Sequence, residues 1–104
     1  MASWHDVCAV NELPPDNGRV ISVGHISILL INVNGEVFAV ENLCPHDGGE
    51  LHEGSVEGTN VICPRHGARF CLRTGEVLAP PATEDIDSFP TRVIASRIEV
   101  FIPG

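Results

Sequence analysis

The chain has 104 residues, 43% apolar and 19% charged, which suits one globular domain and excludes both a disordered chain and two independent cores. Fourteen Asp and Glu face six Arg and no Lys, a net charge of −8, and such acidity disfavours nucleic acid and anionic membranes while favouring basic protein partners. The opening MASWHDV lacks a basic region ahead of an apolar run, and the longest near-apolar stretch, ISILLINV (26–33), is far short of a bilayer span, so a cytoplasmic protein is expected, with no export signal and no membrane segment.

Taken in order, the elements read as short strands and tight turns. WHDVCAV (4–10) is a first strand, and the prolines of ELPPD (12–16) make the next segment a turn rather than a helix. GRVISV (18–23) and HISILLINV (25–33) are strands rich in β-branched residues. Asn34-Gly35 then separates two apolar runs, the strongest short hairpin signal because both central positions of a type I′ turn need positive φ, and EVFAVEN (36–42) is the return strand. PTRVIAS (90–96) and RIEVFI (97–102) form a closing pair. The middle differs: residues 43–69 hold five glycines and two prolines, and only VIC (61–63) resembles a strand. An insert this poor in apolar residues is expected to need something other than a hydrophobic core to hold its shape. The fold class is therefore all-β, an antiparallel sandwich or barrel with a small loop-rich lobe at about 43–70 in a single domain spanning 1–104.

Two Cys/His couplets fall in that insert: Cys44-x-His46 and, sixteen residues on, Cys63-x-x-His66. A lone Cys is often buried filler and a lone His an ordinary surface residue, but four of them in two matched couplets on glycine-rich loops point to metal. One zinc would accept two thiolates and two imidazoles in a tetrahedral site. Zinc modules pair like with like on each knuckle, however, whereas here each loop offers one of each, which suits a two-iron centre whose irons take different ligands. Cys8 and Cys71 match no ligand position, and His5, His25 and His52 are read as ordinary packing or surface residues.

The motifs CPH (44–46) and CPRH (63–66), with Gly67, Phe70, RTGEV (73–77) and the proline-bearing APPA (79–82), resemble the Rieske 2Fe–2S family over nearly the whole chain. The resemblance implies one Rieske 2Fe–2S cluster, with Cys44 and Cys63 on an inner iron and His46 and His66 on an outer, near-surface iron, under a third loop formed by APPA. Two ferric ions, two sulfides, two thiolates and two neutral imidazoles sum to zero charge, so reduction leaves only −1; this is why imidazole ligation raises the potential above that of an all-cysteine cluster.

The Rieske proteins of cytochrome bc complexes carry a disulfide between the two cluster loops, hydroxyl groups near the cluster sulfurs, and a membrane anchor. Here Gly49 and Arg65 stand at the disulfide positions and Ala68 and Phe70 at the hydroxyl positions. What remains is similar to the soluble Rieske ferredoxins of bacterial aromatic-ring dioxygenases. That implies an electron carrier between a flavoprotein NAD(P)H-dependent reductase and a terminal oxygenase, monomeric, docking transiently, and not itself an enzyme. No two-His-one-carboxylate iron site of an oxygenase fits in this length. The alternatives are the Rieske-like small subunit of an assimilatory nitrite reductase and a zinc-stabilised binding module. For partner docking, the insert's acids (Asp47, Glu50, Glu53 and Glu57) are expected to outweigh more distant ones such as Asp16.

Overall fold

Three antiparallel sheets stack in the computed structural model, which describes residues 2–45 and 48–103. β1 (Ser3–Ala9), β11 (Arg97–Ile102) and β10 (Thr91–Ile94) form one sheet in the order β1-β11-β10. The second, in the order β2-β3-β4-β9, comprises β2 (Gly18–Val23), β3 (Ile26–Val33), β4 (Glu36–Glu41) and β9 (Ser88–Phe89). The third is a four-stranded meander of β5 (Ser55–Glu57), β6 (Asn60–Ile62), β7 (Arg69–Cys71) and β8 (Val77–Ala79).

The near-continuous apolar run of β3 has a reason in this layering. Side chains alternate across a strand, and β3 lies between two cores. Ile28 and Leu30 face one way, packing with Ala39 of β4, Ile98, Val100 and Ile102 of β11, and Cys8 of β1. Leu29 and Ile31 face the other way and pack with Phe38 and Val40 of β4 against the third sheet. A strand buried on both faces needs no polar alternation. In β11 the alternation survives, with Ile98, Val100 and Ile102 buried and Arg97 exposed.

Two of the predicted strands, 18–23 and 97–102, appear with their predicted bounds, and the others with ends shifted by one or two residues. The Asn34-Gly35 hairpin forms with φ of 53° and 92°, and the Asn32 side chain accepts the Gly35 N–H at 2.7 Å. Residues 12–16 hold a turn preceded by a short 3₁₀ segment, Val10–Glu12, whose Glu12 carboxylate accepts the Ala9 N–H at 2.7 Å.

The insert is where the sequence expectation fails. Its small sheet continues through Ala79, beyond residue 70, and it does have a core. Leu51, Val61, Ala68, Phe70 and Leu72 are buried with Cys44 and Cys63 in one cluster continuous with Leu29, Ile31, Phe38 and Val40 of the body. The lobe shares a core with the body instead of building its own.

Candidate metal centre

Cys44 follows β4 and Cys63 follows β6, and each opens a loop of the same hydrogen-bonded form. The Cys44 N–H donates to the Gly49 carbonyl at 2.8 Å, and the Gly48 N–H returns to the Cys44 carbonyl at 2.7 Å. In the second loop the Cys63 N–H donates to Ala68 at 2.7 Å and the Gly67 N–H to Cys63 at 3.1 Å. Gly48 and Gly67 sit at φ of 74° and 78°, the left-handed region that closes such a loop and that glycine enters without strain. Both thiols are buried, at 0% and 2% exposure, and none of the four cysteines is in a disulfide. His66 is exposed at the rim of the second loop. His46, and Asp47 beside it, lie outside the described residues.

A third loop has the same form. The Cys71 N–H donates to Glu76 at 2.9 Å, the Gly75 N–H to Cys71 at 2.7 Å, and Gly75 has φ of 79°. The sequence signal was available: CPHDG, CPRHG and CLRTG are one repeat, Cys-x-x-x-Gly. At Cys71 burial alone would raise the thiol pKa. Hydrogen bonds from the Thr74 hydroxyl and the Arg73 and Thr74 backbone outweigh that burial and bring it below the usual value. In this loop the Thr74 hydroxyl and the backbone beside it favour the Cys71 thiolate. Cys71 ends β7 and Arg69 begins it, with Arg69 paired to Ile62, the residue before Cys63; Cys71 therefore lies at the end of the small sheet away from Cys63. Cys8 is buried in the other core, where burial raises its pKa.

Two side chains hold the loops together: Arg65, which sequence reasoning places at a disulfide position, and Asn42, which it does not single out. Arg65, in the second loop, donates to the Glu50 carbonyl in the first at 3.0 Å, and its guanidinium occupies the space where a Gly49 side chain would project. The two positions that correspond to a disulfide in the cytochrome bc branch are therefore in contact here, through an arginine. Asn42, buried at the end of β4, bonds to Glu50, Leu51 and His52 on the far side of the first loop. Each of these pairs is separated by eight or more residues, so no local motif announces it.

In APPA, Ala82 is buried in the lobe core and Pro80-Pro81 is a cis bond. His5 contacts Ser3 on β1 and His25 is exposed in the β2–β3 turn, both away from the loops. His52 lies 3.5 Å from the Glu50 carboxylate and 3.9 Å from that of Glu53. It also lines a cavity of about 450 Å³ between lobe and body. Asp16, expected to be distant from the insert, lines the same cavity, because the turn before β2 folds back beside the lobe.

Two buried thiols on matched loops, with an imidazole exposed on one of them, are a donor set that fits a mixed Cys/His iron centre. Residues 3–90 match the Rieske [2Fe-2S] domain family. The chain belongs to that family. This Rieske protein is 38% identical over 97 residues to the 3-phenylpropionate/cinnamic acid dioxygenase ferredoxin subunit of Photorhabdus laumondii, covering 92% of this chain and 91% of that one. Among solved structures it is similar to a complex of reduced oxygenase and oxidized ferredoxin in carbazole 1,9a-dioxygenase, with TM-score 0.86, 30% identity, and 93% and 91% of the two chains covered. It is also similar to a putative NADH-dependent nitrite reductase small subunit from Mycobacterium tuberculosis, with TM-score 0.87, 26% identity, and 100% and 98% covered.

Proposed function

We propose that this Rieske protein is the ferredoxin of an aromatic-ring dioxygenase system, carrying single electrons from a flavoprotein NAD(P)H-dependent reductase to a terminal oxygenase. It is an electron-transfer component and not an enzyme on its own, working in the cytoplasm as a monomer that docks transiently. Residues 1–104 act as one Rieske unit. Cys44 and Cys63 would hold the inner iron, and His46 and His66 the outer. The observation that carries the reading is the pair of matched loops, each with a buried thiol, on a chain the length of the ferredoxin subunits it resembles.

When bound, the cluster supplies a one-electron couple between its diferric and mixed-valence states, at a potential raised by imidazole ligation. The chain's own contributions can be named. Leu51, Val61, Ala68 and Phe70 close the thiol side against water. The exposed His66 loop offers a partner an approach to the other side. The core shared by lobe and body holds both loops on a close-packed base that yields little on a change of charge.

The test begins with composition. Purified protein should contain about two irons and two acid-labile sulfides per chain, appear red-brown, and bleach with dithionite. A colourless zinc protein would overturn the reading. Reduction by a flavoprotein ferredoxin reductase with NADH, and reoxidation by a ring-hydroxylating oxygenase, then test the role. The full-length likeness to a nitrite reductase small subunit favours a second reading, a fixed component of a larger enzyme. Stable co-purification with a large reductase subunit would select it.

A further inference from the structure

We propose that Asn42 is the positioning residue for the first cluster loop, and that it sets the cluster's redox and magnetic properties without touching the metal. The inference rests on Cys44 and His46 being ligands.

The two loops are built unequally. The second is the tip of a hairpin: β6 and β7 pair directly beneath it, with Ile62 opposite Arg69, so strand hydrogen bonds fix both its ends. The first leaves β4 at Glu41 and no strand resumes until Ser55. Its base is closed instead by one buried amide. The Asn42 Oδ1 accepts the N–H groups of Leu51 and His52, at 2.9 and 3.1 Å. Its Nδ2 donates to the Glu50 carboxylate at 3.2 Å and lies 3.4 Å from the Ser27 hydroxyl on β3. Its own N–H donates to the Ser27 carbonyl at 2.9 Å, which ties the clamp to the central sheet. Asn42 is 4% exposed, and both ends of its amide are engaged. Ala in its place would leave the N–H of the fully buried Leu51 without this acceptor, a cost the loop can relieve only by moving. The loop that would move carries Cys44, two residues further on. The position and hydrogen bonding of its ligands tune an iron–sulfur centre.

The experiment uses the cluster-loaded protein. Asn42→Ala should speed hydrogen exchange at Leu51 and His52 by roughly five- to tenfold, the scale of one lost hydrogen bond, leaving Leu30 and Val40 unchanged. It should also shift the midpoint potential and the g-values of the reduced protein, and hasten iron loss to a chelator. A reversed clamp keeps the net charge. In the double variant Asn42→Asp with Glu50→Gln, the carboxylate accepts both N–H groups and the new amide donates to it. That protein should regain native g-values and exchange, whereas Asn42→Asp alone, with two carboxylates facing each other, should not. Native potential and g-values in a fully loaded Asn42→Ala protein would overturn the proposal. If that variant holds no iron, the two Asp variants decide: equal g-values and equal exchange in both would overturn it. A wild-type protein without iron would instead refute the ligand reading beneath it.

Discussion

At the residue scale, the buried thiols and their neighbours separate what the metal does from what the chain does. The sequence suggested an insert dependent on metal for its shape, but Cys63 is one member of a core that also holds Leu51, Val61, Phe70 and Leu72. Cys63→Ser should therefore abolish cluster binding, read as lost visible absorbance, while the protein still unfolds in one cooperative step in urea. Non-cooperative melting of the lobe would instead assign its stability to the metal. Phe70 and Ala68 carry the second residue-scale prediction. Both are fully buried, in one cluster with the two cysteines, and neither offers a hydroxyl. A hydroxyl donating to a cluster or ligand sulfur favours the reduced state, because reduction adds negative charge. A bond favouring it by ~1 kcal/mol corresponds to roughly 40 mV for one electron. The native potential should thus lie towards the low end of the Rieske range, about −150 mV rather than +300 mV. Ala68→Ser and Phe70→Tyr should each raise it by tens of millivolts in film voltammetry. Unmoved potentials in both variants would refute the hydrogen-bond account.

At the scale of elements, what could be read in the sequence tracks how local the deciding interaction is. The β3–β4 hairpin was legible because Asn34-Gly35 announces its own turn, and β2 and β3 because β-branched runs announce strands. Of the lobe strands only β6 was legible, as VIC, since three residues are too few to show a period; the sheet exists because Val61 and Phe70 pair across it above a core shared with β3 and β4. Both matched loops were visible through their Cys/His couplets, and Arg65 through its place opposite Gly49, but Asn42 was not, since its loop partners lie eight to ten residues away. The β10–β11 turn was illegible for a different reason. Ala95 and Ser96 occupy φ of 50° and 65°, a turn resembling that of Asn34-Gly35 without the residues that favour it. Left-handed backbone costs an ordinary L-residue ~1–2 kcal/mol. Replacing Ala95-Ser96 with Asn-Gly should then stabilise the protein by about 1–2 kcal/mol in urea titrations. The gain should appear without any change in the visible spectrum, since the hairpin belongs to the sheet opposite the lobe. A loss of stability would mean that the Ser96 carbonyl, which accepts the Val10 N–H at 2.9 Å, cannot keep that bond in the new turn.

At the scale of the whole molecule, the charge is sorted. Among the described residues five arginine–carboxylate pairs form: Arg19 with Glu12, Arg69 with Glu57, Arg73 with Glu36, Arg92 with Glu99 and Arg97 with Asp6. Arg65 reaches across the two loops to the Glu50 carbonyl. Such exposed pairs add little stability, but they decide where the leftover charge lies. The described acids with no arginine partner are Asp16, Glu41, Glu50, Glu53, Glu76, Glu84, Asp85 and Asp87. Glu50 and Glu53 flank the first loop and Asp16 faces the lobe across the cavity, whereas Glu76 and Asp85 lie by the Cys71 loop at the other end of the small sheet. The sheet β1-β11-β10, by contrast, has its charges neutralised in pairs, Arg97 with Asp6 and Arg92 with Glu99. Glu50 and Glu53 put part of this negative charge beside the proposed cluster edge, where it steers a basic partner, and it is screened over about 10 Å at 0.1 M salt. Electron transfer from reductase to this protein should therefore slow as salt rises from ~10 to ~200 mM, mainly through the second-order rate constant. Glu53→Gln, next to the first loop, should lower that constant and flatten its salt dependence. Glu99→Gln, on the opposite sheet, should change neither by as much, although both variants remove one negative charge. Stopped-flow reduction at several ionic strengths measures both quantities. Equal effects from the two variants would mean that net charge alone governs encounter, and a rate independent of salt would leave the acidity with no part in docking.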